Sequence, residues 1–168
     1  MPKTYPDIGT FTSGQILTAA TMNDIGTNLD NFRVPPAVSL RLTSDKTSWV
    51  NNAAVSWDAE DYDTDAMWSS GSTITFNTAG LYLVTINISA GAATTLTQLF
   101  LFANNRQMTT NGGTTFASAN LSFVASYAAA ATLSVNVGYV ATGAVTLSGT
   151  ADNQNRGRFT ATWIGQAS

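Results

Sequence analysis

Apolar residues along this chain follow two periods, and the switch between them divides it. In the first part Met22, Ile25, Leu29 and Phe32 recur at spacings of three and four. That is the stripe of an amphipathic helix, with Asn23, Asp24, Asn28 and Asp30 turned largely away from it. Thr18 is placed to cap the helix, which runs to about Phe32. Arg33-Val34-Pro35-Pro36 then forbids continuation, because two prolines remove donors and fix an extended path. Residues 1–9 carry Pro2, Pro6 and Gly9 and read as an extended arm without a core of its own. A helix this short is marginal in water unless its stripe packs on something.

From Ala37 the period is two. Val38, Leu40 and Leu42 alternate with Ser39, Arg41 and Thr43; Val55 and Trp57 flank Ser56; Ile74 and Phe76 flank Thr75. Over residues 81–89 Tyr82, Val84, Ile86 and Ile88 share one face and Thr85, Asn87 and Ser89 the other. Residues 96–103 are apolar on both faces, Phe100 and Phe102 opposite Leu99 and Leu101, as in a strand covered by a second sheet and by a partner subunit. Further strands follow at Leu121, Phe123 and Tyr127, at Leu133, Val135, Val137 and Tyr139, at Val145 and Leu147, and at Phe159, Ala161 and Trp163. Turn residues separate them at Asn51-Asn52, Gly71, Ala79-Gly80, Asn104-Asn105, Gly112-Gly113, Gly143 and residues 152–155. Gly112-Gly113 between threonines reads as a flexible hairpin tip. Many short strands after one helix predict a mainly β chain: a jelly-roll β-sandwich at 37–168, preceded by an arm-and-helix segment at 1–36.

Composition removes whole classes of chemistry. The 168 residues include no Cys and no His. Disulfides, thiolate sites, imidazole-ligated metals and Ser-His-Asp or Cys-His catalysis are therefore excluded. Charged residues make up 10% of the chain, against roughly 25% in an average domain. Net charge is −3 with no basic run, so nucleic-acid binding has no electrostatic footprint. No apolar run approaches the roughly 18 residues of a membrane span. The start, MPKTYPDIGT, lacks the basic and apolar stretches of a secretion signal.

Two segments carry a family likeness. The acidic-aromatic residues 57–62, the strand ending at Phe76, and Ala79-Gly80-Leu81-Tyr82-Leu83 resemble the globular head of complement component 1q and tumour-necrosis-factor-like jelly rolls. There, a Gly-x-Tyr opens a central strand after a tight turn. Arg158-Phe159-Thr160-Ala161-Thr162-Trp163-Ile164 looks like that family's last strand. The front half, with Phe11-Thr12-Ser13-Gly14-Gln15-Ile16-Leu17-Thr18-Ala19, then Asn28-Leu29 and Pro35-Pro36-Ala37-Val38, is similar to small tailed-phage proteins that carry this domain. Many family heads have Gly-Asp before a late strand where this chain has Gly138-Tyr139, so no ligand role carries over to that loop. The resemblance implies a homotrimer with binding or structural roles and no catalysis. It implies a virion protein of the tail (minor tail or fibre-tip) or of the capsid (head decoration or fibre), touching other virion proteins and released by lysis. A carbohydrate- or receptor-binding adhesin is the alternative, and a hydrolase the third reading.

Two clusters are candidates for chemistry. Residues 58–65 hold half of the 10 acidic side chains. Asp61, Asp63 and Asp65 would share one face of a strand and could present carboxylates to calcium. The calcium-loop pattern is broken, since Ala66 stands where glycine is required and no Glu occupies the twelfth place. Paired carboxylates could also cleave a glycoside, and a solvated loop of turn-forming Asp needs neither. Trp49, Trp57, Tyr62 and Trp68 lie in the same region. Exposed, they would stack on a sugar ring; buried, they fill the core or a trimer interface. No cofactor is expected, and the Met22, Ile25, Leu29 and Phe32 stripe is the expected attachment surface.

Overall fold

The computed structural model describes residues 6–103, 106–149 and 157–166. The turns expected at Asn104-Asn105 and over 152–155, and arm residues 1–5, lie outside the described residues. Helix α1 spans Ala19–Arg33, and Thr18 caps it: its side chain accepts the Thr21 N–H at 3.2 Å. Among the described residues ten strands follow: β1 (Ala37–Arg41), β2 (Ala53–Ala54), β3 (Ala59–Asp63), β4 (Thr73–Phe76), β5 (Gly80–Ala103), β6 (Arg106–Tyr127), β7 (Ala131–Ser134), β8 (Asn136–Thr142), β9 (Val145–Leu147) and β10 (Arg158–Gly165).

The period-two alternation buries the side chains it predicted. Val38, Leu40, Leu42, Tyr82, Val84, Ile86, Ile88 and Phe159 are fully enclosed. Phe76 stacks on Tyr127 at 3.7 Å between centroids and meets Tyr82 edge-on at 4.7 Å. All pairing is antiparallel. One sheet runs β2-β8-β5-β10-β1-β3, with β6 and β9 also bonded to β5; a smaller sheet pairs β4 with β7.

Three features depart from the periodicity reading. The alternation over 133–139 is divided at Val135 between β7, in the small sheet, and β8, in the large one. The runs at 81–89 and 96–103 are one 24-residue strand, β5, carried across small residues by register shifts at Gly91/Leu96 and Leu96/Gln98. The second shift moves the buried set from even to odd positions: Ala90 and Leu96 face the core before it, and Leu99 and Leu101 after it. Gly112-Gly113 is likewise not a hairpin tip. It lies inside β6, opposite the second shift, where Thr114 pairs with Leu96 and Asn111 with Gln98. Glycines there mark a bulge, since an extra residue must be absorbed where two strands fall out of step.

The long hairpin curls into a closed sandwich. The Arg106 guanidinium lies 5.1 Å from the ring centroid of Phe123, on the same strand. A straight run between those positions would span roughly 55 Å at the usual rise per residue. The hairpin therefore bends through the full thickness of the domain.

The Gly-x-Tyr signal has a local cause. A Cβ on Gly80, at φ +152°, would sit 2.1 Å from Trp163 Nε1. Tyr82 donates its hydroxyl to Thr78 O at 2.7 Å and ties the strand to its turn. Trp163 also donates its backbone N–H to Pro36 O at 2.8 Å and its indole N–H to Ala79 O at 3.3 Å, so the entry to β1, the end of β10 and the start of β5 meet at one residue. Gly80→Ala must displace that ring. We expect it to destabilise the domain by about 1–3 kcal/mol, read as a lowered thermal midpoint; an unchanged midpoint would show that Trp163 packs elsewhere.

Candidate functional site

Helix α1 has no buried residue. Met22, Leu29 and Phe32 are 51%, 60% and 62% exposed, and Ile25 is half-buried. The stripe is thus formed as the spacing predicts, and the chain itself leaves most of it uncovered. Phe32 meets Trp163 of the domain at 5.8 Å between rings, and Asn28 Nδ2 donates to Pro6 O of the arm at 2.9 Å. Together with Ile8, Gly165 and Gln166 these residues border a cleft of about 490 Å³.

The acidic segment folds by distributing its carboxylates. Asp61 is the extra residue of a bulge, because Ser39 pairs with Tyr62 and the next residue, Leu40, with Glu60. It pairs with Arg41 and with Arg158 at 3.4 Å, and accepts from the Ser39 hydroxyl at 3.3 Å. Asp63 accepts the backbone N–H groups of Asp65 at 3.1 Å and Trp68 at 2.8 Å. Asp65 is fully buried beyond the end of β3 and accepts the Thr78 N–H at 3.0 Å. Burial pushes the Asp65 carboxyl up, against the hydrogen bonds of Thr78. The shared face expected of Asp61, Asp63 and Asp65 does not form, since the bulge and the strand end break the alternation. Among the described residues no three acidic side chains gather as metal ligands.

Asp58 stands apart from these. It pairs with Lys46 and accepts the N–H groups of Thr43 at 3.0 Å and Ser44 at 3.3 Å. Burial would raise its pKa, but the Lys46 hydrogen bond and the two backbone donors outweigh it and hold the carboxyl below its ordinary value.

Of the four aromatic residues that could stack on a sugar if exposed, three are wholly or partly buried. Trp57 is a core residue, 3% exposed and 6.0 Å from the Phe159 ring, as its alternation with Val55 already implied. Trp49 and Trp68 are half-buried, donating to Val137 O and Gly71 O, each at 3.1 Å. Tyr62 alone is exposed, at 46%. The platform fails because most of the set is used in packing.

A different concave surface was not legible in the sequence, because its residues come from four separate segments. A groove of about 480 Å³ is bordered by Phe102, Arg106, Gln107, Thr132, Ser134 and Asn136. It continues into a second hollow of about 350 Å³ at Asn52, sharing Phe102 and Asn136. The turn that presents Asn52 is latched to β8. Asn51 exchanges hydrogen bonds with the Tyr139 backbone at 2.9 and 3.2 Å, and Tyr139 donates its hydroxyl to Trp49 O at 2.9 Å. This is the place of Gly138-Tyr139: a Cβ on Gly138 would strike Asn52 Oδ1 at 2.3 Å.

The curled antiparallel sheets define an all-β jelly roll, and solved structures narrow it further. The globular domain of zebrafish complement 1qA superposes with a TM-score of 0.53 over 79% of this chain and 99% of that domain, at 12% identity. Murine APRIL in crystals at pH 8.0 gives 0.53 over 77% and 98%, at 12% identity, and at pH 8.5 gives 0.50 over 76% and 98%, at 13%. The chain has the complement-1q and tumour-necrosis-factor-like jelly-roll fold expected from its sequence. No protein-family model and no curated protein matches it.

Two outcomes follow for the acidic segment. Asp58 is held below its unfolded value, so the stability it supplies is complete above the usual carboxylate range and lost as pH falls through its depressed folded value. Asp58→Asn should therefore cost about 1–3 kcal/mol at pH 7, with the deficit closing in acid; denaturant melts at several pH values measure it. With Asp58, Asp61, Asp63 and Asp65 each bonded to separate protein partners, chelator and added calcium should both leave the thermal midpoint unchanged. A drop with chelator would restore Asp61, Asp63 and Asp65 as ligands, because a ligand of the native state must stabilise it.

Proposed function

We propose that the chain is a non-enzymatic structural protein of a tailed-phage virion, a homotrimeric appendage of the tail or capsid. Its N-terminal arm and helix dock it, and its jelly roll projects. The observation that carries this reading is the stripe of α1, an apolar surface built into a formed helix and left largely exposed at Met22, Leu29 and Phe32. Each Leu or Ile in such a stripe contributes roughly 1.5–3 kcal/mol when a partner buries it. The likeness of residues 11–19, 28–29 and 35–38 to small phage proteins supplies the particle, and the fold supports a trimer.

The face of the domain that best suits a sister subunit lies on β5 and β6. Leu83 and Val124 pair across the strands at 44% and 45% exposure, and Phe116 stands on the same face at 43%. Between them run small hydroxyl pairs: Thr85 with Ser122 at 2.9 Å and Ser89 with Ser118 at 2.7 Å. A flat ladder with apolar ends and self-satisfied hydroxyls can be covered without stranding a charge. Phe100 and Phe102 are half-buried and lie against each other at 6.1 Å, so the doubly apolar strand is partly covered from within.

Purified particles should carry the protein at sites of threefold symmetry, seen by reconstruction with antibody-labelled jelly roll. Chains lacking residues 1–34, which keep Pro36 for its bond to Trp163, should fold as trimers and fail to join particles. Ile25→Asp with Leu29→Asp should do the same, with domain stability changed by no more than about 0.5 kcal/mol. Leu83→Glu with Val124→Glu should yield monomers by native mass spectrometry. A truncated chain that still decorates particles would make the jelly roll the anchor, and a wild-type monomer would remove the trimer.

A further inference from the structure

We propose that the groove around Phe102 and Arg106 binds an acidic saccharide, a sugar ring bearing a carboxylate. The site does not depend on how the arm is anchored, and it is not the aromatic cluster whose members proved to be packed.

Charge accounting singles out Arg106. Arg33 lies 3.7 Å from Asp30, Arg41 and Arg158 share Asp61, and Lys46 holds Asp58. Among the described residues Arg106 is the cation with no carboxylate partner. In a chain with so few charges, an unmatched guanidinium bordering a groove is the exception. It is exposed, yet held in place over the face of Phe123. A guanidinium held over a ring still has N–H donors to offer, and those donors match a carboxylate in bidentate geometry.

The rest of the lining suits a sugar. Phe102 offers a half-buried ring on which the C–H face of a pyranose can lie. Gln107, Thr132, Ser134, Asn136 and Asn52 surround it with amides and hydroxyls. Two of these are positioned by bonds that leave capacity free. Gln107 donates to Thr109 Oγ1 at 3.1 Å, and Asn136 donates to Asn52 O at 2.9 Å, which leaves both side-chain carbonyls to accept from sugar hydroxyls. Each cavity is of the size that holds a small ligand, roughly 300–1,000 Å³. The negative net charge of the chain gives no general attraction for anions, so capture of one would report this groove.

The test uses the full chain with N-acetylneuraminic acid and glucuronic acid as carboxylated sugars. Galactose and N-acetylglucosamine serve as neutral ones, and inorganic phosphate as a bare anion. Saturation-transfer NMR should show ring protons of the two acids in contact with protein, and titration should rank them above both neutral sugars. Arg106→Ala should weaken binding by about tenfold or more, Arg106→Lys by less, and Phe102→Ala should abolish the ring contact. Arg33→Ala removes an equal charge elsewhere and should bind as the wild type. Because Arg106 is exposed, its alanine variant keeps the fold, which circular dichroism checks independently of Phe102→Ala. Equal binding of neutral sugars, displacement by phosphate at equal concentration, wild-type affinity in Arg106→Ala, or no saturation of any sugar would each overturn the proposal. The last result is also what a subunit seated over Phe102 would produce.

Discussion

One strand has to serve almost the whole domain. Along one edge β5 pairs in turn with β10, β9 and β8; along the other it pairs with β6 for nearly its full length. A strand with so many neighbours cannot stay straight, because each adds twist and the sandwich must close around side chains on a single face. The register shifts near Gly91 and Leu96 resolve this. They bend the strand and exchange its inward positions, so Ile86 and Ile88 fill one end of the core while Leu99 and Leu101 fill the other. Small residues over 91–95 allow the bend.

Scarce charge gives the surface a simple logic. Two of the four ion pairs among the described residues lie where β1, β3 and β10 run side by side, fixing an edge that backbone pairing leaves irregular: Asp61 sits in the bulge and gathers Arg41 and Arg158. Asp58 fastens the segment after β1 through Lys46 and two amides. Elsewhere hydroxyl and amide side chains meet one another, as on the outer face of β5 and β6. A surface of this kind tolerates contact with copies of itself, since few charges need to be stripped of water.

Much of the fold was legible because alternation survives wherever a strand has one wet face. Tyr82 to Ile88 and Phe159 to Trp163 lie as that alternation expects, and Thr18 to Phe32 as helical spacing and a cap expect, whereas Leu133 and Val137, though both buried, belong to two strands of different sheets. Bulges were not legible. An extra residue at Asp61 or after Leu96 leaves no trace in composition, yet it reverses the side chains beyond it. The same blindness produced the hairpin tip at Gly112-Gly113 and the single acidic face of Asp61, Asp63 and Asp65. The stripe of α1 was readable because a helix stripe depends on local spacing. The groove was not, since Asn52, Phe102, Arg106 and Asn136 converge only after the long hairpin has curled and the Asn51 latch has closed.

The junction at Trp163 also decides how the domain would bear force. Chain entering from the arm passes Pro36, whose carbonyl is held by the Trp163 N–H, and runs straight into β1. That strand lies between β10 and β3, bonded along both edges. Tension applied through the arm would therefore act along β1 and load its two ladders together in shear. Peeling, which breaks hydrogen bonds one at a time, would require a pull across the strand. An arm that enters a central strand gives a small domain a tether that resists being drawn out, whatever it is tied to.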